Sequence, residues 1–337
     1  SAALATNGSE ISAGIAGAVT FNWVEGITSA LIENVKFGSS IENPTIKPTD
    51  VTVEAIRSGN IFALAAGAAG APKEKGVAFT GSVAINILKN ITEAKVSHLQ
   101  SNSEITGNLK IHSKDNSQIL GNAGAISYGG KAGVGPAFAI NLILNQTNAS
   151  FNNSNLIFDG NIDLLAEAGN SIISVASAVG ASKGDAGVGG TIAVNLLLNT
   201  VQSEITNSNA SSTAIPSTVT IKAVNANTIY SVGGAIGASK KAGVGIAIAF
   251  NFIQPTVKAL ILDSQLDIGE INNSATLDAS TLTISAIDSS EIYAISAGGA
   301  GAEKIAVAGG ISVNIILSDV QAYIAGTTTF IRATGDI

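Results

Sequence analysis

The stretch Gly180–Ile205 reads GASKGDAGVGGTIAVNLLLNTVQSEI, and it contains the features that recur along this chain. It begins with small residues, turns at Lys183, and continues with small residues up to Asn195. A large apolar residue follows the asparagine, and apolar positions such as Val201 and Ile205 then alternate with polar ones. Alternation with a period of two residues predicts a β-strand with one buried face.

The same pattern occurs six times. The asparagine that ends each small-residue run is spaced by 64, 55, 54, 56 and 63 residues from one unit to the next, and ten residues after each asparagine match without a gap. The marking asparagines are Asn22, Asn86, Asn141, Asn195, Asn251 and Asn314. Internal similarity at a regular period is typical of repeat architectures.

Each unit contains further recurring parts. A second alternating block leads across a polar turn to an isoleucine, which starts the next small-residue run: Ile61, Ile119, Ile172, Ile229 and Ile292. A short turn divides that run, and one lysine marks each turn: Lys75, Lys131, Lys183, Lys240 and Lys304. These blocks predict about four strands per unit, joined by polar corners.

The repeats predict an all-β fold, a β-solenoid (parallel β-helix) built from units of about 55 residues. We expect one continuous array over residues 1–337, truncated at both ends, because residues 1–21 match the second half of a unit and residues 315–337 only its start. Each unit is expected to form two or three coils. The alternative is that the two small-residue arms around each lysine turn form an antiparallel hairpin, which would give stacked hairpins or a sandwich.

Composition excludes several classes of protein. Hydrophobic residues make up 46% of the chain, aromatic residues 4% and charged residues 12%, which is the reverse of a disordered composition. The net charge of −7, with scattered lysines and arginines, does not indicate a nucleic-acid-binding surface. There are no cysteines, so disulfides and thiolate metal sites are excluded. No apolar run is long enough to predict a transmembrane helix.

We expect no catalytic, cofactor-binding or metal site. His98 and His112 are the only histidines, and His112 falls at a variable, mostly polar position that is expected to face solvent. Neither a calcium-binding glycine-aspartate repeat nor a phosphate-binding GxxxxGK[ST] loop occurs, so stretches such as GGKAGVG are interpreted as turns between strands. The six repeated asparagines are interpreted as structural, each satisfying a buried backbone group at a corner near a strand end.

The small-residue arms allow two interpretations. Alternating strands of about ten residues could be membrane-active. Both alternating faces of these arms are nearly apolar, however, which favours burial in a core.

A β-helical enzyme acting on polysaccharide would need a groove lined by carboxylates, and no acidic cluster stands out in the strands.

The unit in Gly180–Ile205, a small-residue run, a lysine turn, AGVGxxxAxN and an alternating strand, resembles the repeats of large filamentous adhesins related to the fusobacterial leukotoxin. The resemblance covers practically the whole chain. It implies export through an outer-membrane transporter of the type V kind, and a β-helical passenger that is secreted or displayed on the bacterial surface. It brings no catalytic residues.

We therefore expect a structural and adhesive segment, not an enzyme, that extends a binding surface toward a host cell or receptor. The alternative is a membrane-active segment of a secreted leukotoxin or cytolysin. A β-helical polysaccharide-acting enzyme is the third possibility.

Overall fold

A computed structural model describes residues 1–5, 11–38, 47–212, 217–268 and 280–333. All regular structure in these residues is β-strand, and all their strand pairings are parallel. The prediction of an all-β fold with parallel sheets is confirmed. The antiparallel hairpin is wrong: the two arms around each lysine turn pair with the arms of neighbouring repeats, not with each other.

The strands form four sheets, which the chain visits in the same order in each repeat. Sheet 1 contains β1 (Ala2–Leu4), β4 (Asn60–Ala71), β8 (Gln118–Gly129), β12 (Ser171–Ser182), β16 (Thr228–Ala238) and β20 (Glu291–Gly301). Sheet 2 contains β2 (Ala13–Glu33), β5 (Val77–Ser97), β9 (Ala132–Asn152), β13 (Ala186–Thr206), β17 (Ala242–Leu262), β21 (Ile305–Ile316) and β22 (Asp319–Ala325).

The two remaining sheets are built from shorter strands. Sheet 3 contains β6 (Ser103–Ile105), β10 (Asn155–Phe158), β14 (Asn209–Ser212), β18 (Gln265–Ile268) and β23 (Phe330–Ala333). Sheet 4 contains β3 (Val51–Arg57), β7 (Leu109–Asp115), β11 (Ile162–Ala168), β15 (Thr218–Asn225) and β19 (Thr281–Asp288).

One repeat makes one passage through the four sheets. Asn141 of β9 lies beside Asn195 of β13, so neighbouring strands are offset by a whole repeat. The expectation of two or three coils per unit is therefore wrong. The difference arises from the length of the sheet 2 strands, which run for 21 residues in most repeats. Each of these strands takes up residues that the prediction had divided among several shorter strands.

The long strands of sheet 2 contribute to two different cores. Their first halves face sheet 1 across a layer of buried alanines, among them Ala84, Ala139 and Ala193. Their second halves face sheets 3 and 4 across a cluster of Val, Leu, Ile and Phe side chains that includes Phe151 and Phe158. A layer of isoleucines and leucines, such as Ile119 facing Leu88 and Ile143, separates the two cores.

We call the alanine-rich half the wing and the remainder the lobe. The wing comprises residues 13–24, 61–88, 119–143, 172–197, 229–253 and 292–316. The lysine turns form the tip of the wing, between the strands of sheet 1 and those of sheet 2. The interpretation of the glycine-rich stretches as turns between strands is confirmed at these positions.

Glycine lets the two sheets of the wing approach at backbone distance. A Cβ added to Gly189 of β13 would lie 2.3 Å from the carbonyl oxygen of Ile236 in β16. A Cβ added to Gly180 of β12 would lie 1.9 Å from the carbonyl oxygen of Val188. Real Cβ atoms do not approach oxygen so closely, so inward-facing glycine keeps the wing thin.

A left-handed residue marks the corner between sheets 2 and 3. Asn153, Asn207 and Asp263 each have φ 48°, a conformation that Asn and Asp tolerate better than other non-glycine residues. A serine follows each of them, and the Ser208 hydroxyl donates to the Thr206 carbonyl oxygen at 2.8 Å. The variation in repeat length after this corner falls partly on residues 39–46, 213–216 and 269–279, which lie outside the described residues.

The outer faces of the wing are exposed, so the expectation that both faces of the small-residue arms are buried is wrong. Inward positions pack against the opposite sheet, whereas outward positions such as Val175 and Ile192 are open to solvent. The sequence could not separate the two cases because both faces are apolar.

Candidate functional site: the asparagine ladder and the wing surface

The six repeated asparagines form a continuous side-chain ladder through sheet 2. Each Nδ2 donates to the Oδ1 of the next asparagine, and all five distances are 2.8 Å. The ladder runs through Asn22, Asn86, Asn141, Asn195, Asn251 and Asn314. The four middle side chains are fully buried at the base of the wing.

The ladder differs from the interpretation made from the sequence. The asparagines lie inside long strands, not at strand ends, and they bond one another instead of a corner backbone group. Sheet 1 leaves room for them: a Cβ on Gly121 would lie 2.1 Å from Oδ1 of Asn141. Moving an inner strand by one residue would place its asparagine on the apolar outer face and break two hydrogen bonds between side-chain amides, so the ladder fixes the register.

A second buried polar layer lies on the lobe side of the isoleucine layer. Nδ2 of Asn145 donates to Oδ1 of Asp115 at 3.1 Å and to Oδ1 of Asn170 at 3.2 Å. Nδ2 of Asn199 donates to Oδ1 of Asn227 at 3.0 Å. Sequence reasoning missed this layer, although Asn90, Asn145 and Asn199 each follow a marking asparagine by four residues.

Asp115 is the carboxylate buried in this layer. Its side chain accepts hydrogen bonds from Thr92 at 3.2 Å and Asn145 at 3.1 Å, and it has no solvent exposure. Loss of hydration on burial raises the pKa of Asp115 above its ordinary value. The neighbouring repeats carry Arg57 and Ala168 at the same position, and aspartate returns only at Asp288, so the position does not stand out as a repeated carboxylate in the sequence.

The two histidines lie apart on the lobe. His112 is on the outer face of sheet 4, as expected, but its neighbours cover most of its side chain, with 12% left exposed. Its Nδ1 lies 3.0 Å from Oε1 of Glu54. His98 occupies the left-handed corner position with φ 55°, and its Nδ1 lies 3.7 Å from Oε1 of Glu33. The described residues contain no cluster of His, Asp and Glu side chains able to hold a metal ion.

Two shallow troughs run across the lobe surface. One, of about 490 Å³, follows sheet 3 and is lined by amide and hydroxyl side chains, by apolar residues such as Ile157, and by one carboxylate, Asp267. Within it, Nδ2 of Asn209 donates to Oδ1 of Asn155 at 2.8 Å. The other, of about 480 Å³, crosses the outer face of sheet 2 where its apolar half meets its polar half, near Leu144, Leu198 and Gln254.

The lysine turns place positive charge along the tip of the wing. The five described turns carry seven lysines and three acidic residues, although the whole chain has a net charge of −7. The Lys241 ammonium lies 2.6 Å from the Asp185 carboxylate, and this hydrogen bond lowers the pKa of Asp185. The lysines are Lys73, Lys75, Lys131, Lys183, Lys240, Lys241 and Lys304.

Among the residues that the structure describes, there is no helix long and apolar enough to span a membrane. Comparison of the chain with known proteins finds no matching family model, no matching curated protein and no matching solved structure.

Proposed function

We propose that this chain is a β-solenoid segment of a large adhesin that is secreted or displayed on a bacterial surface, and that it mediates contact with a host cell or receptor. The observation that carries the proposal is the in-register stacking of whole repeats, which places equivalent side chains of successive repeats side by side. The likeness to leukotoxin-related filamentous adhesins supports export through an outer-membrane transporter.

The solenoid arrangement makes a prediction about deletions. Removal of residues 142–195 would join Asn141 to Leu196 and delete one whole repeat, so the flanking strands can pair again in the same register. We expect both the full chain and this shortened chain to unfold cooperatively in urea. Removal of residues 142–168 deletes about half a repeat and should abolish cooperative unfolding. Equal behaviour of the two deletions would contradict a solenoid.

The sheet 3 trough is the adhesive surface that we propose. Its side-chain amides, including Asn155, Asn209 and Gln265, lie in neighbouring repeats and can bond the polar groups of an extended ligand. Contacts repeated along one surface add through effective concentration, so weak individual sites can give firm attachment.

Binding of the fluorescently labelled chain to cultured leukocytes and epithelial cells tests the adhesive proposal. We expect saturable binding to at least one cell type, and a loss of several-fold in the double variant Asn155→Ala, Asn209→Ala. The matched control is Gln146→Ala, Gln202→Ala, which removes two amides from the outer face of sheet 2 and should bind as the unmodified chain does. No saturable binding to either cell type would contradict adhesion, whereas equal loss in both variants would contradict the sheet 3 site.

A further inference from the structure

The wing has two apolar outer faces, one on each side of a thin double layer of strands. None of its strand segments between tip and base contains a charged residue. The outer face of sheet 2 presents residues such as Ile192 and Ile246, and that of sheet 1 presents Val232 and Ile236. Six strands spaced by about 4.8 Å and eleven residues long give about 900 Å² for the sheet 2 face alone. Soluble monomers rarely expose apolar patches larger than about 600 Å².

The height of the apolar band matches the hydrocarbon layer of a bilayer. The strand segment from Val77 to Ile87 separates the tip turn from the polar half of β5, and it contains eleven residues when both of its faces are counted. At about 3.3 Å per residue, this strand segment is about 35 Å long, close to the hydrocarbon thickness of about 30 Å. Beyond it, the outer face of the same strand turns polar with Lys89, Glu93 and Lys95.

Aromatic side chains lie at the base of the band on both faces. Tyr230 and Tyr293 stack on the outer face of sheet 1 with ring centroids 5.0 Å apart. Trp23 and Phe252 each follow a ladder asparagine on the outer face of sheet 2. Tyrosine and tryptophan favour the boundary between hydrocarbon and headgroups, because one end of the ring system is apolar and the other can remain hydrated.

The tip lysines supply a second boundary. Seven lysines against three acidic residues give the tip a net positive charge, which complements the phosphates of anionic lipids. Their long side chains can place the ammonium group among headgroups while the stem stays in apolar surroundings. In the part of the chain that the structure describes, backbone groups within the band are paired from strand to strand, which confines unpaired groups to the edge strands of each sheet.

We propose that the wing inserts into an anionic phospholipid bilayer, so that both of its outer faces contact acyl chains. A second copy of the chain is the competing occupant. One partner copy can cover one outer face of a wing and leaves the other exposed, whereas lipid covers both at once. A protein interface also gives no reason for the boundary aromatics and the basic tip.

Vesicle flotation tests the insertion. The probe is unilamellar vesicles of phosphatidylcholine and phosphatidylglycerol in a 7:3 ratio, and we expect most of the chain to float with them. The quadruple variant Ile192→Glu, Ile246→Glu, Val232→Glu, Ile236→Glu places charge on both faces and should reduce flotation at least tenfold. The control Thr200→Glu, Gln202→Glu lies on the polar half of β13 and should float as the unmodified chain does. Circular dichroism confirms that each variant keeps its strands.

Single cysteines carrying an environment-sensitive fluorophore report which faces meet lipid, because the chain has no cysteine of its own. Labels at Val175→Cys on sheet 1 and Ile192→Cys on sheet 2 should both shift to the blue with vesicles and be quenched by doxyl-labelled lipids. A label at Gln202→Cys should do neither.

Three outcomes would overturn the proposal. One is absence of flotation. Another is a lipid-dependent shift at only one of the two faces. The third is a shift of both labels without vesicles, accompanied by a doubled or larger mass in analytical ultracentrifugation, which would assign the faces to further copies of the chain. Equal flotation with vesicles of pure phosphatidylcholine would show that the tip lysines do not contribute to binding by contacting anionic headgroups.

Discussion

The wing and the lobe share the long strands of sheet 2 and the same parallel pairing, but their cores follow opposite packing rules. The lobe is filled by large side chains, including the fully buried Phe151 and Phe158, and its three walls stand apart to hold them. The wing is filled by alanine and glycine, and its two walls lie at backbone distance. One long strand of sheet 2 therefore serves both packings, and the Asn ladder lies close to the border between them.

The largest difference is expected from removing an aromatic ring. Phe151→Ala empties a fully buried site in the lobe and should cost about 3–5 kcal/mol of unfolding free energy. Phe62→Ala removes a ring that is 70% exposed on the outer face of the wing and should cost little. Urea denaturation of both variants checks this, and comparable losses would contradict the assignment of inner and outer faces.

The reverse experiment adds one methyl group to the wing. Gly189→Ala places a Cβ 2.3 Å from the carbonyl oxygen of Ile236, so the two sheets must separate, at a cost of about 3 kcal/mol. Gly190→Ala points into open space and should be neutral or stabilise by up to about 1 kcal/mol. Thermal unfolding followed by circular dichroism distinguishes them. If the two neighbours respond alike, the sheets of the wing are not in close contact.

A substitution of one ladder asparagine tests the border between the wing and the lobe. Asn195→Ala leaves Nδ2 of Asn141 and Oδ1 of Asn251 without their ladder partner, which should cost about 2 kcal/mol. Hydrogen exchange of the amides in β9, β13 and β17 should accelerate most near the ladder. Thr200→Ala, on the outer face of β13, is the control. Unchanged exchange near Asn195 would remove the ladder as a determinant of register.

The smallest effect depends on pH. Because burial raises the pKa of Asp115, the folded chain binds this proton more tightly than the unfolded chain. Stability should therefore fall as pH rises from the ordinary aspartate pKa of 3.8 through the raised pKa of the folded state. Asp115→Asn should remove this fall and leave a variant more stable than the unmodified chain at pH 7, measured by melting temperature.

Asp185, at the wing tip, is a control because its pKa is shifted in the opposite direction. The pKa of Asp185 is lowered by its hydrogen bond from Lys241, so Asp185→Asn should bring no gain at pH 7. A melting temperature of Asp115→Asn that follows the pH dependence of the unmodified chain would show that Asp115 is not the group responsible.

The sequence predicted the repeat, the parallel all-β sheets and the turns at the lysines, because these features recur at fixed positions. It could not predict the size of one coil. Periodicity gives the length of a repeat, but the number of corners that close a coil depends on where a strand such as β13 bends or continues. The alternation in β13 is the same in wing and lobe, although its two halves face different partners.

Features of the candidate site also could not be predicted from the sequence. Exposure of the wing faces could not be inferred, since Ile192 and Ala193 are both apolar and alternation does not tell which of them faces solvent. The partner of each ladder asparagine depends on the strand register, which a single unit does not contain. The position of Asp115 carries Arg57, Ala168, Asn225 and Asp288 in the other repeats, so repetition could not mark a carboxylate there.

The offset of one repeat per strand limits how far such an array can reach. Each unit of 54 to 64 residues advances the stack by one strand spacing, about 4.8 Å. A thousand residues of this architecture would extend only about 80 Å, although each layer contains a strand of 21 residues, about 70 Å long. Each added repeat therefore lengthens the stack by only one strand spacing but adds a full 21-residue strand to its side, so the array gains lateral area faster than length.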